Sequence, residues 1–284
     1  MANLDLRPLS LGELLDRTFT LYRQHFALFV GISAIPHLLV LALNLANTLA
    51  STGTATPRQG QLPSTGLMAG GVVVAILGIA IYLIVYLFAQ GGTFFAVSEI
   101  YLGRTTTIGA SLRRMRGKVL KLLGVTILNG LAVGAATILL IIPGIYMLCR
   151  LMACVPAALF EDLGPGESLS RSFDLTKNEA GRAFVIWLLY FVLAIVAATL
   201  FEFPFSFMAG LAVRQTGSPA QLWTALMHVG NFLGTVLVTP YLTIATAVFY
   251  YDLRVRKEAF DLQLMMNAGA AVPAPAPGAP PSLA

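Results

Sequence analysis

Residues 113–144 read RRMRGKVLKLLGVTILNGLAVGAATILLIIPG. A basic cluster ends at Lys118, and the run from Val119 to Ile142 then carries a single charge, Lys121. A helix of about 20 apolar residues rises roughly 30 Å, the depth of a bilayer's hydrocarbon. The stretch therefore predicts a membrane span that begins at a basic, headgroup-facing edge. Pro143-Gly144 marks its expected end.

Working outward, five more runs of this kind appear. They are Phe26 to Leu49, Leu67 to Tyr101, Ile145 to Phe160, Ala183 to Met208 and Leu222 to Tyr251. The runs are too continuous for barrel strands, and in lipid only helices or closed barrels satisfy their own backbone. The expected fold is all-α: a polytopic bundle of about six transmembrane helices. Composition agrees, with 57% hydrophobic and 11% charged residues in 284, against roughly 25% charged in a soluble domain. The mean hydropathy is +0.80.

Lys and Arg alternate between loops. Fifteen flank one side: Arg7, Arg17, Arg23, Arg104, Arg113, Arg114, Arg116, Lys118, Lys121, Arg171, Lys177, Arg182, Arg254, Arg256 and Lys257. Two, Arg58 and Arg214, flank the other, and Arg150 falls inside the fourth run. The positive-inside rule then places both termini in the cytoplasm, in a bacterial cytoplasmic membrane. The same placement assigns the net charge of +5 to anionic lipid headgroups and argues against nucleic acid. The early charges, Asp5 to Arg23, and the long first run do not resemble a cleaved signal. Residues 1–266 read as the six-span domain, and the Ala/Pro-rich stretch 267–284 reads as a disordered tail.

A pattern Gly-x-x-Leu-x-Arg precedes the first, third and fifth runs: Gly12, Leu15, Arg17; Gly109, Leu112, Arg114; Gly166, Leu169, Arg171. Leu11, Leu14, Leu15, Thr18, Phe19 and Tyr22 share one helical face. Ser10 and Glu13 form a capping box, and Pro165 suits an early helical position. The expected plan is three units, each an amphipathic cytoplasmic helix followed by a two-span hairpin. Such helices are expected in the interface, with apolar residues in the acyl boundary.

The segments Arg7 to Arg17, Ile142 to Tyr146, Ser168 to Phe173 and Tyr250 to Glu258 together resemble the membrane-domain family of glycerophosphoryl diester phosphodiesterase, over residues 6–265. The end motif, with Tyr251, Asp252, Arg254, Arg256 and Glu258, is the most specific part. The resemblance implies a multi-helix membrane domain, in some members fused to a catalytic domain; none is expected within these 284 residues. It does not carry the enzyme's activity over. The end motif also offers i,i+4 pairs, Asp252–Arg256, Arg254–Glu258 and Lys257–Asp261, expected on an exposed helix, which such pairs stabilise by about 0.2–0.5 kcal/mol each.

Catalytic chemistry is hard to find. His25, His37 and His228 are far apart, and there is no P-loop, His-Glu-x-x-His or nucleophile elbow. Cys149 and Cys154 suggest neither a disulfide nor a zinc site. No cofactor is expected. Polar residues inside the runs are costly in lipid and mark the candidate intramembrane site: Arg150, Glu202, Asn231, His37 and Asn129. By residue count Arg150 lies near the outer edge of the fourth span, with Glu202 its best-placed carboxylate. Glu99 is expected to pair with Arg104. Pro36, Pro156, Pro204 and Pro240 are positions where helices could break around a cavity.

Three readings follow. The first is a non-catalytic protein that organises phospholipid or partner proteins. The second is a permease for a small anionic or lipid-like solute. The third is an accessory to phosphodiester or phospholipid metabolism. The sequence leaves oligomeric state and protein partners open.

Overall fold

The computed structural model describes residues 7–50, 65–101, 103–216 and 220–259. The expected tail, Arg58 and Asp261 lie outside them. Among the described residues there are eleven helices and no strand. They are α1 (Leu11–Gln24), α2 (Phe26–Ala50), α3 (Thr65–Tyr101), α4 (Ile108–Arg113), α5 (Val119–Leu139), α6 (Ile141–Arg150), α7 (Cys154–Phe160), α8 (Pro165–Leu175), α9 (Ala180–Phe201), α10 (Phe203–Thr216) and α11 (Gln221–Glu258). Six stretches are long and apolar enough to cross a membrane, the fourth being the α6–α7 pair. Their outer faces are bare hydrocarbon: Ile138 is 90% exposed and Ile142 81%. A water-facing surface of that kind would be strongly disfavoured, so the architecture is an all-α, multi-pass membrane bundle.

The short helices α1, α4 and α8 precede the pairs α2–α3, α5–α6/α7 and α9–α11, so the chain is three units of short helix and two spans. The centre is α11, which packs on α2, α9, α3, α1 and α10. Every residue of α11 from Thr243 to Leu253 is buried; a helix buried all round belongs in a core. Gly230 lets α9 approach it, since a Cβ there would lie 1.9 Å from the Phe201 carbonyl oxygen. Pro240 removes the N–H that would bond the Val236 carbonyl, loosening α11 locally. One residue on, the Leu237 carbonyl accepts a 2.8 Å bond from Tyr22 Oη of α1.

Two expected boundaries move. The break between the third and fourth spans falls at Leu140, in extended conformation (φ −164°, ψ 149°), and not at Pro143-Gly144. Pro143 lies in the first turn of α6, where a missing N–H costs no helical bond. Gly144 serves packing: a Cβ there would meet Thr137 Oγ1 at 2.1 Å and Thr137 Cα at 2.8 Å. The fifth span likewise ends at Phe201, not Met208, and Pro204 lies in the first turn of α10. The fourth span is no single rod. It turns at Leu151–Ala153, between α6 and α7.

Candidate functional site

The end motif of α11 organises the end of the bundle where most basic residues gather. Asp252 has a side chain with no exposure at all. A buried carboxylate must be paired to be tolerated, and three donors reach it. They are the Leu9 backbone N–H at 2.7 Å, Arg182 Nη1 at 2.7 Å and Arg256 Nε at 2.9 Å. Arg182 and Arg256 also donate to the Leu9 carbonyl. Both backbone groups of Leu9 are thus held, fixing the chain entering α1 against α9 and α11. Sequence reasoning found Asp252–Arg256 as a local helix pair but placed it on an exposed helix. Here it is the buried core of a three-element junction.

A second cluster joins α7, α8 and α11. Glu161, just past α7, accepts from Arg171 Nε at 2.7 Å and from Tyr250 Oη at 2.6 Å. Arg171 also reaches Glu258, which pairs with Arg254 at 2.9 Å. Arg171 is held protonated above its usual range by the Glu161 and Glu258 carboxylates, which outweigh the larger single effect of burial. Lys257 Nζ donates to the carbonyls of Asp174 and Lys177, at the end of α8.

A third cluster lies at the end of α3. Glu99 pairs with Arg104 at 3.6 Å, as the sequence predicts, and also with Arg114. Tyr251 stacks on Tyr101, ring centroids 5.0 Å apart, and donates to Ser98 at 2.8 Å. Arg17 of α1 lies over the other side of this stack, 4.8 Å from the Tyr101 centroid. Beside it an open groove of 520 Å³ runs between α1 and the α3–α4 connection, lined by Arg17, Gln24, His25, Tyr101, Arg104 and Thr105 among others.

The Gly-x-x-Leu-x-Arg positions fall in one helical register. Gly12, Gly109 and Gly166 are each the second residue of their helix. None has a neighbour within 4 Å of an added Cβ, so packing does not demand glycine there. Leu15, Leu112 and Leu169 are partly buried. The inward face is set instead by residues two and six beyond each glycine: Leu14 and Thr18, Ser111 and Met115, Ser168 and Ser172. All six are buried. These faces pack in part on α11, α3, α5 and α7, while Phe19 of the same α1 face stays 54% exposed. Three of the six are serines and one a threonine, which hid the stripe from a hydropathy reading. The Ser10–Glu13 capping box is present, and Glu167 bonds the Gly164 N–H at 2.8 Å.

Of the five intramembrane candidates, the structure bonds Asn231 to Glu202, through Nδ2 to Oε2 at 2.9 Å, and sets His37 beside Asn231 in the lining of one small pocket. The expected Arg150–Glu202 pair does not form. Arg150 Nη2 donates to the Phe173 carbonyl at 2.7 Å and Nη1 to that of Thr176 at 3.5 Å. In return the Arg150 carbonyl accepts from Ser172 and Thr176 hydroxyls. The α8–α9 turn lies at the start of α9 and Glu202 just past its end, about 30 Å apart at 1.5 Å per residue. The misplacement has a physical source: counting residues along one straight span ignored the turn at 151–153. His37 Nδ1 donates to the Ser33 carbonyl at 2.7 Å, which assigns its hydrogen to Nδ1. Asn129 lines a separate cavity of 270 Å³ among α3, α5, α6, α7, α9 and α11.

Among the described residues no three His, Cys, Asp or Glu side chains gather as a metal site, and Cys149 and Cys154 are buried, free thiols. Leu9 and Glu161 were not singled out from sequence, and Arg182 only as a basic loop residue; a lone leucine backbone or a loop glutamate carries no local signal. The fold and this end together define a multi-pass integral membrane protein. Compared with known proteins, the chain matches no family model, no curated protein and no solved structure.

Proposed function

We propose that this is a non-catalytic protein of a bacterial cytoplasmic membrane, with both termini cytoplasmic, that organises anionic phospholipid at its basic end. The groove beside Tyr101 carries the reading. It offers Arg17 and Arg104 with the neutral donors Gln24 and Thr105 in a 520 Å³ opening. Arg104 is 64% exposed and lies 3.6 Å from Glu99, so its fork can turn to a phosphate while Arg114 remains the closer partner of Glu99. The ionic junctions around Asp252 and Glu161 hold α1, α8 and α9 against α11, giving the groove a rigid wall. The asymmetry of Lys and Arg between loops supports the orientation.

A permease for a small anionic or lipid-like solute stands second. Its support was Arg150 and the proline-broken spans, and Arg150 is not among the walls of the 520 or 270 Å³ openings. The resemblance to the phosphodiesterase membrane domain supports a third role, as an accessory to phospholipid metabolism. The test is copurification from native membrane with identification of bound lipids and proteins together. Enrichment of anionic phospholipid over the bulk membrane supports the proposal. Lipid in bulk proportions contradicts it.

A further inference from the structure

The 270 Å³ cavity has walls from α3, α5, α6, α7, α9 and α11 and contains no charged side chain among them. Its walls are nevertheless polar. Gln90 of α3 and Asn129 of α5 line it, and neither amide makes a hydrogen bond with any described residue. Thr243 and Thr246 of α11 line it too, each 7% exposed, with hydroxyls likewise unbonded. In the same wall the Thr126 hydroxyl and the Trp187 indole N–H are buried without a partner. An amide or hydroxyl removed from water and left unpaired is costly, so such groups are retained where water or a ligand satisfies them. At roughly 30 Å³ per water, the space equals about nine waters. The absence of any counter-charge makes an ion a poor occupant.

We propose that this cavity is a binding site for a small uncharged solute bearing amide or hydroxyl groups, held by Gln90, Asn129, Thr243 and Thr246. The site is separate from the groove at the basic end, and neither reading depends on the other. The two tryptophans of the chain make it testable, since Trp187 lines the cavity and Trp223 does not. In Trp223→Phe protein reconstituted in lipid nanodiscs, Trp187 fluorescence is quenched with acrylamide, an uncharged amide, and with iodide. Acrylamide is expected to quench at least tenfold more effectively than iodide. Acetamide, which does not quench, is expected to compete and reduce acrylamide quenching at least twofold, while acetate does not. Filling the cavity with Asn129→Leu, or with Gln90→Leu should the first variant fail to fold, is expected to cut acrylamide quenching at least threefold. Comparable quenching by iodide overturns the selectivity for uncharged solutes. Absence of acrylamide quenching, failure of acetamide to compete, or no effect of filling in a folded variant overturns the binding site.

Discussion

Replacing Asp252 with Asn removes one charge from the best-buried ionic junction in the molecule. The carboxylate holds the Leu9 N–H, Arg182 and Arg256 at 2.7 to 2.9 Å with no exposure of its own. Asn keeps the shape, but its amide nitrogen must face one of three donors. Breaking a buried pair by removing one partner costs about 3–5 kcal/mol. Arg182 and Arg256 are 18% and 30% exposed, so water partly compensates them. We take the lower end, about 3 kcal/mol. On the scale for domains of this size, about 2–4 °C per kcal/mol, the midpoint should fall by roughly 6–12 °C. Cys149 and Cys154 are buried, so a thiol-reactive dye reports unfolding without added label. Hydrogen exchange at Leu9 should rise before the dye signal does, because the damage begins where its N–H is released. An unchanged midpoint together with unchanged exchange at Leu9 would refute the junction.

Other outcomes follow from single contacts. Arg150→Gln should loosen the α8–α9 turn, read as faster exchange at residues 173–177, and adding Glu202→Arg to Arg150→Glu should rescue nothing; recovery of folded yield would restore the rejected pair. Gly230→Ala drives a Cβ to 1.9 Å from the Phe201 carbonyl, so α9 must shift, at about 1–3 kcal/mol; a midpoint within 1 °C of wild type would speak against that approach. Glu13 is held down to about 2, first by the Ser10 backbone N–H, then by the Ser10 hydroxyl and Arg7. Its folded pKa is depressed, so its contribution is present above the ordinary carboxylate range and fades as pH falls toward 2. Glu13→Gln should therefore remove pH dependence from α1 protection between pH 5 and 2, as read by exchange.

Much of the fold was legible because its strongest signal is chemical and linear. Continuous apolar runs announced the spans, and Ser10–Glu13 and Pro165 announced the starts of α1 and α8. What failed was whatever depends on the path taken between residues. Pro143-Gly144 reads as a turn, yet a proline in the first helical turn loses nothing, so the break moved to Leu140. Arg150 was placed by counting along a rod that bends at 151–153. The inward stripes of α4 and α8 contain Ser111, Ser168 and Ser172, buried against protein for their small size and invisible to hydropathy. For the site, Asp252 and Arg256 were visible as a helix pair. Their real partners, Leu9 and Arg182, lie 243 and 70 residues away, and only the fold brings them close.

The proposed role stands or falls on the lipid retained at the basic groove. Native mass spectrometry of protein extracted in a mild detergent would count bound anionic phospholipid in wild type and in Arg17→Gln/Arg104→Gln. The double variant should lose at least threefold of its anionic lipid, with zwitterionic lipid unchanged and the protein still folded. Equal retention of anionic lipid by both proteins would contradict that role.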